Sequence, residues 1–245
     1  MNTAEKLKKI AENEAIIAEE NRKLYECVNG DKVDAKSWYD EFWDGIQNYG
    51  NRISYQDGFK EWSGFEELNT KYPIKSITLY ATFSGCRSLK RLPIVECANS
   101  DGLFDSCYGA FTQCENIESI DFDVTNKATT MPWQATFYNC KKLKRIKKIV
   151  VLENQVFVKL TFDLCEALED ITIEGTIGQN GFDIHWSTLL SADSLKSIIN
   201  ALSTTTTGLT ITLPTTAQAN YEAVYGTGSW SVLVATRSNW TIAYA

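Results

Sequence analysis

Hydrophobic and polar positions divide the chain into four stretches. In residues 1–30, Leu7, Ile10, Ile17, Leu24 and Val28 keep the a/d spacing of a heptad, with Glu14 and Asn21 at the remaining a positions. This spacing predicts a helix. One reading is a short coiled coil in which polar Asn21 sets register and oligomer state at a cost in stability. The other is an amphipathic helix lying on the protein's own body. An isolated helix of this length is marginal in water, so the first reading carries the expectation of a homo-oligomer joined through it. Asn29-Gly30-Asp31 then marks a break. Residues 31–75 place Trp38, Phe42 and Ile46 on one helical stripe, with Tyr39 and Trp43 beside it, followed by the less regular Phe59, Trp62 and Phe65. These aromatics are expected to cap the open hydrophobic end of the adjoining segment, residues 76–175; a sugar-binding aromatic platform is the sharper alternative.

Residues 76–175 carry an internal repeat. ATFSGCRSLKRL (81–92), GAFTQCENIESI (109–120), ATFYNCKKLKRI (135–146) and LTFDLCEALEDI (160–171) align without a gap, with starts 28, 26 and 25 residues apart. Their anchors are Phe83, Cys86, Leu89 and Leu92; Phe111, Cys114, Ile117 and Ile120; Phe137, Cys140, Leu143 and Ile146; and Phe162, Cys165, Leu168 and Ile171. Anchors three apart suit a short helical or 3₁₀ turn leading into a bend and a strand. One such unit is too small to close a core, so the copies must stack, Phe on Phe. A fully buried Phe contributes roughly 1.5–3 kcal/mol. LFDSC, 103–107, is a near match out of frame and reads as an insertion. In residues 176–245, Leu195, Ile198, Ile199 and Leu202 predict a helix, Leu209, Ile211 and Leu213 an alternating strand, and RSNWTIAYA a terminal edge strand. This stretch reads as a degenerate last repeat and cap.

The F-x-x-C-x-x-[LI]-x-x-[LI] core resembles the BspA-like subgroup of leucine-rich repeats, closely over residues 76–175 and with degenerate units expected on either side. The resemblance implies an α/β repeat, a leucine-rich-repeat solenoid, preceded here by the N-terminal helical segment.

Four of the seven cysteines share one repeat position, which places them inside the solenoid as small hydrophobes. Stacked units do not bring neighbouring Cβ atoms into disulfide geometry. A zinc site finds no C-x-x-C pair, and His185 is the only histidine. His185 itself is expected in a turn or beside Trp186. No P-loop, G-x-G-x-x-G, H-E-x-x-H or G-x-S-x-G occurs, so no catalytic, cofactor or metal residues are assigned and the chain reads as a non-enzyme.

A net charge of −7 argues against nucleic-acid binding, which depends on neutralising phosphates. The basic cluster Lys141, Lys142, Lys144, Arg145, Lys147 and Lys148 reads as a solvated face. No apolar run approaches the roughly 20 residues that cross a bilayer, so no membrane insertion is expected. The N-terminal stretch has neither an apolar signal-peptide core nor a small-residue cleavage site, which implies synthesis in the cytoplasm. The whole layout resembles tail proteins of phages and prophages of gut Firmicutes, where such repeats sit at fibre tips. That resemblance implies a virion component with other tail proteins and a bacterial surface receptor, protein or glycan, as partners. A bacterial adhesin or interaction scaffold is the alternative, and a purely structural baseplate decoration protein a further one. Arg87, Lys90, Lys141 and Lys144, exposed between anchors, are contact candidates by geometry.

Overall fold

Each copy folds as one coil of a β-solenoid. The computed structural model describes residues 60, 61, 66, 74–92, 95–152 and 155–245. The heptad stretch of Leu7, Ile10, Ile17, Asn21, Leu24 and Val28, and the aromatics between Trp38 and Phe65, lie outside the described residues.

The Phe-to-Cys turn is built on an alternation of backbone handedness. Two residues before the first three Phe stand Ala81, Gly109 and Ala135, and two after all four stand Gly85, Gln113, Asn139 and Leu164, all with φ between 47° and 78°. Holding a non-glycine residue left-handed costs roughly 1–2 kcal/mol. The return is that every second N–H points along the solenoid axis and bonds to the next coil: Ala81 to Tyr108 (2.8 Å), Phe83 to Ala110 (2.9 Å) and Gly85 to Thr112 (2.7 Å). Phe111 donates likewise to Thr136 and Phe137 to Thr161. The intervening N–H groups close three-residue turns within the coil, as Cys86 does on Phe83 and Cys114 on Phe111 (both 3.1 Å). That closure is the physical origin of the three-residue anchor spacing.

The Phe rings stack as a column. Centroid distances are 5.6 Å for Phe83–Phe111, 5.8 Å for Phe111–Phe137 and 5.5 Å for Phe137–Phe162, with interplanar angles of 6°, 3° and 16°. Fifteen of the sixteen anchors are buried, and Leu92 is half-buried against the same core.

Strands β1 (Ile74–Ser76) and β2 (Val95–Cys97) pair in parallel, as do β3 (Ser119–Thr125), β4 (Arg145–Val151) and β5 (Asp170–Gly175), in that order. The fourth anchor lies within the strand: Ile120, Ile146 and Ile171 are cross-strand partners and the first inward residues of β3, β4 and β5. LFDSC is not an insertion. Phe104 and Cys107 are buried in the common core, and Cys107 occupies the place of Leu79 and Trp133, four residues before each Phe.

A fifth coil comes next, with a different filling. Ile184, Ser187 and Leu190 repeat the turn 22 residues beyond Phe162, Cys165 and Leu168. Ser187 N–H bonds Ile184 (3.0 Å) and Leu190 N–H bonds Ser187 (3.4 Å), matching the earlier coils. Where a strand would come next, helix α1 (Ala192–Ala201) forms instead, N-capped by Ser191. It buries Leu195, Ile198 and Ile199 and closes the open edge of β5 with side chains. The hydroxyl of Ser194 accepts from Ile171 N–H (2.9 Å) and that of Ser197 from Ile173 N–H (2.8 Å). Strand β6 (Leu209–Leu213) comes after it, then helices α2 (Ala217–Tyr225) and α3 (Ser229–Ala235), then β7 (Trp240–Tyr244), which pairs in parallel with β6. Beyond α1 the coils therefore exchange roles: strands take the turn side, and helices take the former strand side.

Candidate interaction surface

The repeat cysteines point inward and hydrogen-bond. Each thiol donates to the carbonyl of the preceding coil's Phe: Cys114 to Phe83 (3.0 Å), Cys140 to Phe111 (3.1 Å) and Cys165 to Phe137 (3.0 Å). Four residues before Cys140 and Cys165, the hydroxyls of Thr136 and Thr161 donate to the carbonyls of Cys107 (3.0 Å) and Trp133 (2.9 Å). These turn carbonyls, each already closing a three-residue turn, thus accept a second bond inside the core. All six described cysteines are free. Burial pushes the Cys165 thiol up to about 12 and those of Cys114 and Cys140 well above the ordinary value. They are protonated, sealed and unreactive. Among the described residues no cluster of His, Cys, Asp and Glu is suited to a metal ion, and no helix is long and apolar enough to cross a membrane.

The exposed positions form rows of alternating charge along the axis. One row runs Arg87, Glu115, Lys141, Glu166, beside each Cys; another runs Glu66, Lys90, Glu118, Lys144, Glu169 and is threaded by the backbone bonds Lys90 to Glu66, Glu118 to Lys90, Lys144 to Glu118 and Glu169 to Lys144. Arg87 and Lys141 both reach Glu115 (3.9 and 3.6 Å), and Lys90 holds Glu66 (2.8 Å). The strand face repeats the scheme. On β4, Arg145 pairs with Asp121, Lys147 with Asp123 (2.9 Å), and Lys148 with both Asp123 (3.0 Å) and Glu174 (2.8 Å). Glu174 and then Asp123 hold the Lys148 ammonium above its usual value. The basic cluster is therefore a row laid between two acidic strands.

Two grooves interrupt this surface. The first lies where α1 replaces a strand and is lined by Arg145, Lys147, Asp170, Thr172, Ser191 and Asp193 among others. Its charged groups are already engaged: Asp170 accepts from the Ser191 hydroxyl (3.0 Å), and Asp193 accepts from that of Tyr225 (2.5 Å). The second lies on the outer face of the C-terminal strands, along 180–183, Thr210 and Thr212. His185 sits in a turn beside it, its ring 5.2 Å from that of Trp186 and its Nδ1 2.6 Å from Asp183 Oδ1. Sequence reasoning missed this second groove, because its residues come from two separate segments and form no motif.

The pattern that defines the BspA type leucine rich repeat region matches residues 53–188 in six copies, two more than the four that align without a gap. Neither a curated protein nor a solved structure matches the chain. The repeat pattern covers more than half the sequence, and within it the described residues form stacked turns and parallel strand ladders: the chain belongs to the BspA-type leucine-rich repeat family.

Proposed function

We propose that this chain is a non-enzymatic binding protein that contacts a bacterial surface through its repeat domain, as a tail-fibre or receptor-binding component of a phage virion. The observation that carries the binding role is the stacked repeat array itself. Its repeat thiols are sealed in the core, its exposed charges are tied to neighbouring coils, and what remains is an extended, pre-organised surface. Rigid solenoids of this kind serve recognition. The tail-fibre form of the reading is supported by the layout: a heptad stretch, an aromatic segment, repeats, then a cap. Family membership equally supports an adhesin or interaction scaffold of the bacterium itself.

Two measurements separate these forms. Finding the protein in purified phage particles supports the virion role, and finding it only in host cell fractions supports the adhesin or scaffold. Particle association without any adsorption of the isolated chain to host cells leaves the decoration role. Self-association through Leu7, Ile10, Ile17, Asn21, Leu24 and Val28 is tested by sedimentation of the full chain against one beginning at Lys36. Identical monomeric behaviour of both would remove the oligomerisation helix from this reading.

A further inference from the structure

The second groove has a composition unlike the rest of the surface. Residues 180–184 bridge in parallel to β6 at Asp183 and Thr212, and β6 pairs with β7 in register. Leu209, Ile211, Leu213 and Phe182 face the core, so their alternates face out. The outward rows are Asp183, Thr212 and Ala243 in one and, two residues earlier on each strand, Gly181, Thr210 and Thr241 in the other. Short side chains give a shallow floor, and Gly181 contributes backbone only. Of the Asp183–His185 pair only Asp183 lines the groove; Trp186, next to His185 in the chain and in ring contact with it, is 39% exposed.

What distinguishes this groove is unspent hydrogen-bonding capacity. Among the described residues, the hydroxyls of Thr210, Thr212 and Thr241 have no partner, and Asp183 spends only Oδ1, on the His185 ring and backbone N–H. In the groove beside α1, in contrast, the carboxylates and cations are all paired. No Lys or Arg lines the second groove, so an anionic ligand would meet Asp183 with no compensating cation. A row of hydroxyls, one carboxylate held in orientation by an imidazole, and an exposed indole together suit a ligand with many hydroxyls on one side and a C–H face on another.

We propose that this groove is a binding site for an uncharged saccharide, with Trp186 stacking on a sugar ring while Asp183, Thr210 and Thr212 bond its hydroxyls. The proposal rests on the reading of the chain as a surface-recognition protein and names the ligand class. The test uses the full chain against immobilised oligosaccharides of glucose, galactose, rhamnose and N-acetylglucosamine. Wild type binds at least one, competed by the free sugar. Trp186→Ala and Asp183→Asn each weaken binding by about tenfold or more, whereas Trp186→Phe and Arg145→Ala stay within about threefold of wild type. Thr212→Val, which keeps shape and removes the hydroxyl, weakens it with an unchanged unfolding midpoint. Binding of no saccharide, or wild-type binding by Trp186→Ala, overturns the site. A second arm uses intact host cells before and after mild periodate, which cleaves vicinal diols. Loss of adsorption after periodate supports the site. Adsorption undiminished both by periodate and by Trp186→Ala overturns it and leaves surface recognition standing, while absent adsorption to untreated cells alongside saccharide binding overturns surface recognition and leaves the site.

Discussion

Cys140 has Lys141 and Lys142 beside it in sequence, and cations near a thiol ordinarily lower its pKa. In the fold both lysines are exposed while the thiol faces the Phe111 carbonyl inside the core, and burial dominates. Cys140→Ala removes both the packing atom and the second donor to that buried carbonyl, which keeps the Cys114 N–H. The expected loss is about 1–2 kcal/mol in urea unfolding, and Cys140→Ser loses less, because a hydroxyl restores a donor. Ser187 stands in for the cysteine of the fifth coil and donates to the Cys165 carbonyl (3.0 Å). Equal losses for the two variants would mean that the thiol only fills space. Gly175 makes a second residue-scale case. Its φ is 97°, and a Cβ there would lie 2.0 Å from the Val151 carbonyl oxygen. Gly175→Ala is expected to cost at least roughly 1–3 kcal/mol, with Gly102→Ala, strained in φ but in open space, losing less in the same assay.

At the scale of elements, the end of the β3–β4–β5 sheet is closed by hydroxyls on a helix. Open strand edges recruit other chains, and here Ser194 and Ser197 occupy the edge of β5. Ser194→Ala and Ser197→Ala each leave a strand N–H unpaired, and each is expected to cost about 1–3 kcal/mol in denaturant unfolding. The double variant should also aggregate more readily, measured by light scattering; a double variant as stable as wild type would show that water serves the edge equally well. Nothing in the sequence singles out these serines, because serine on a helix reads as surface. The repeat anchors were legible for the opposite reason: a stacked coil imposes the same burial on every copy, so the pattern recurs whatever lies around it. Leu195, Ile198 and Ile199 likewise form a helical stripe that announces α1. Helices α2 and α3 were not legible, since α2 buries only Ala217 and Tyr221 and α3 only Trp230 and Leu233. Two anchors do not define a period. The candidate groove was hidden for a related reason, with Asp183, Thr210 and Thr212 meeting only once residues 180–183 lie along β6.

For the molecule as a whole, the sealed thiols tie stability to pH. Their pKa values are raised in the folded state, so the folded form keeps protons that the unfolded chain gives up. Their contribution is fully present below the unfolded value of 9.0 and is lost as pH rises from there toward about 12 for Cys165. Cys114 and Cys140 shift in the same direction. Each thiol lowers stability by about 1.4 kcal/mol per pH unit across that window. The melting temperature is therefore expected to fall steeply between about pH 9 and pH 10 and to respond less below. A flat profile through that range would show that the thiols titrate alike in both states.

The alternating rows have a consequence for how such an array changes length. To the backbone, the coils are interchangeable: each turn offers its neighbour the same N–H groups and carbonyls. Excising 109–134, one full coil, rejoins a continuous turn ladder but sets Arg87 against Lys141 and Lys90 against Lys144. Excising 109–159, two coils, sets the same residues against Glu166 and Glu169. Hydrogen bonding counts coils one at a time, and charge counts them in pairs. The array thus has a grammar of two, and growth or loss by duplication keeps its surface neutralised only in even steps.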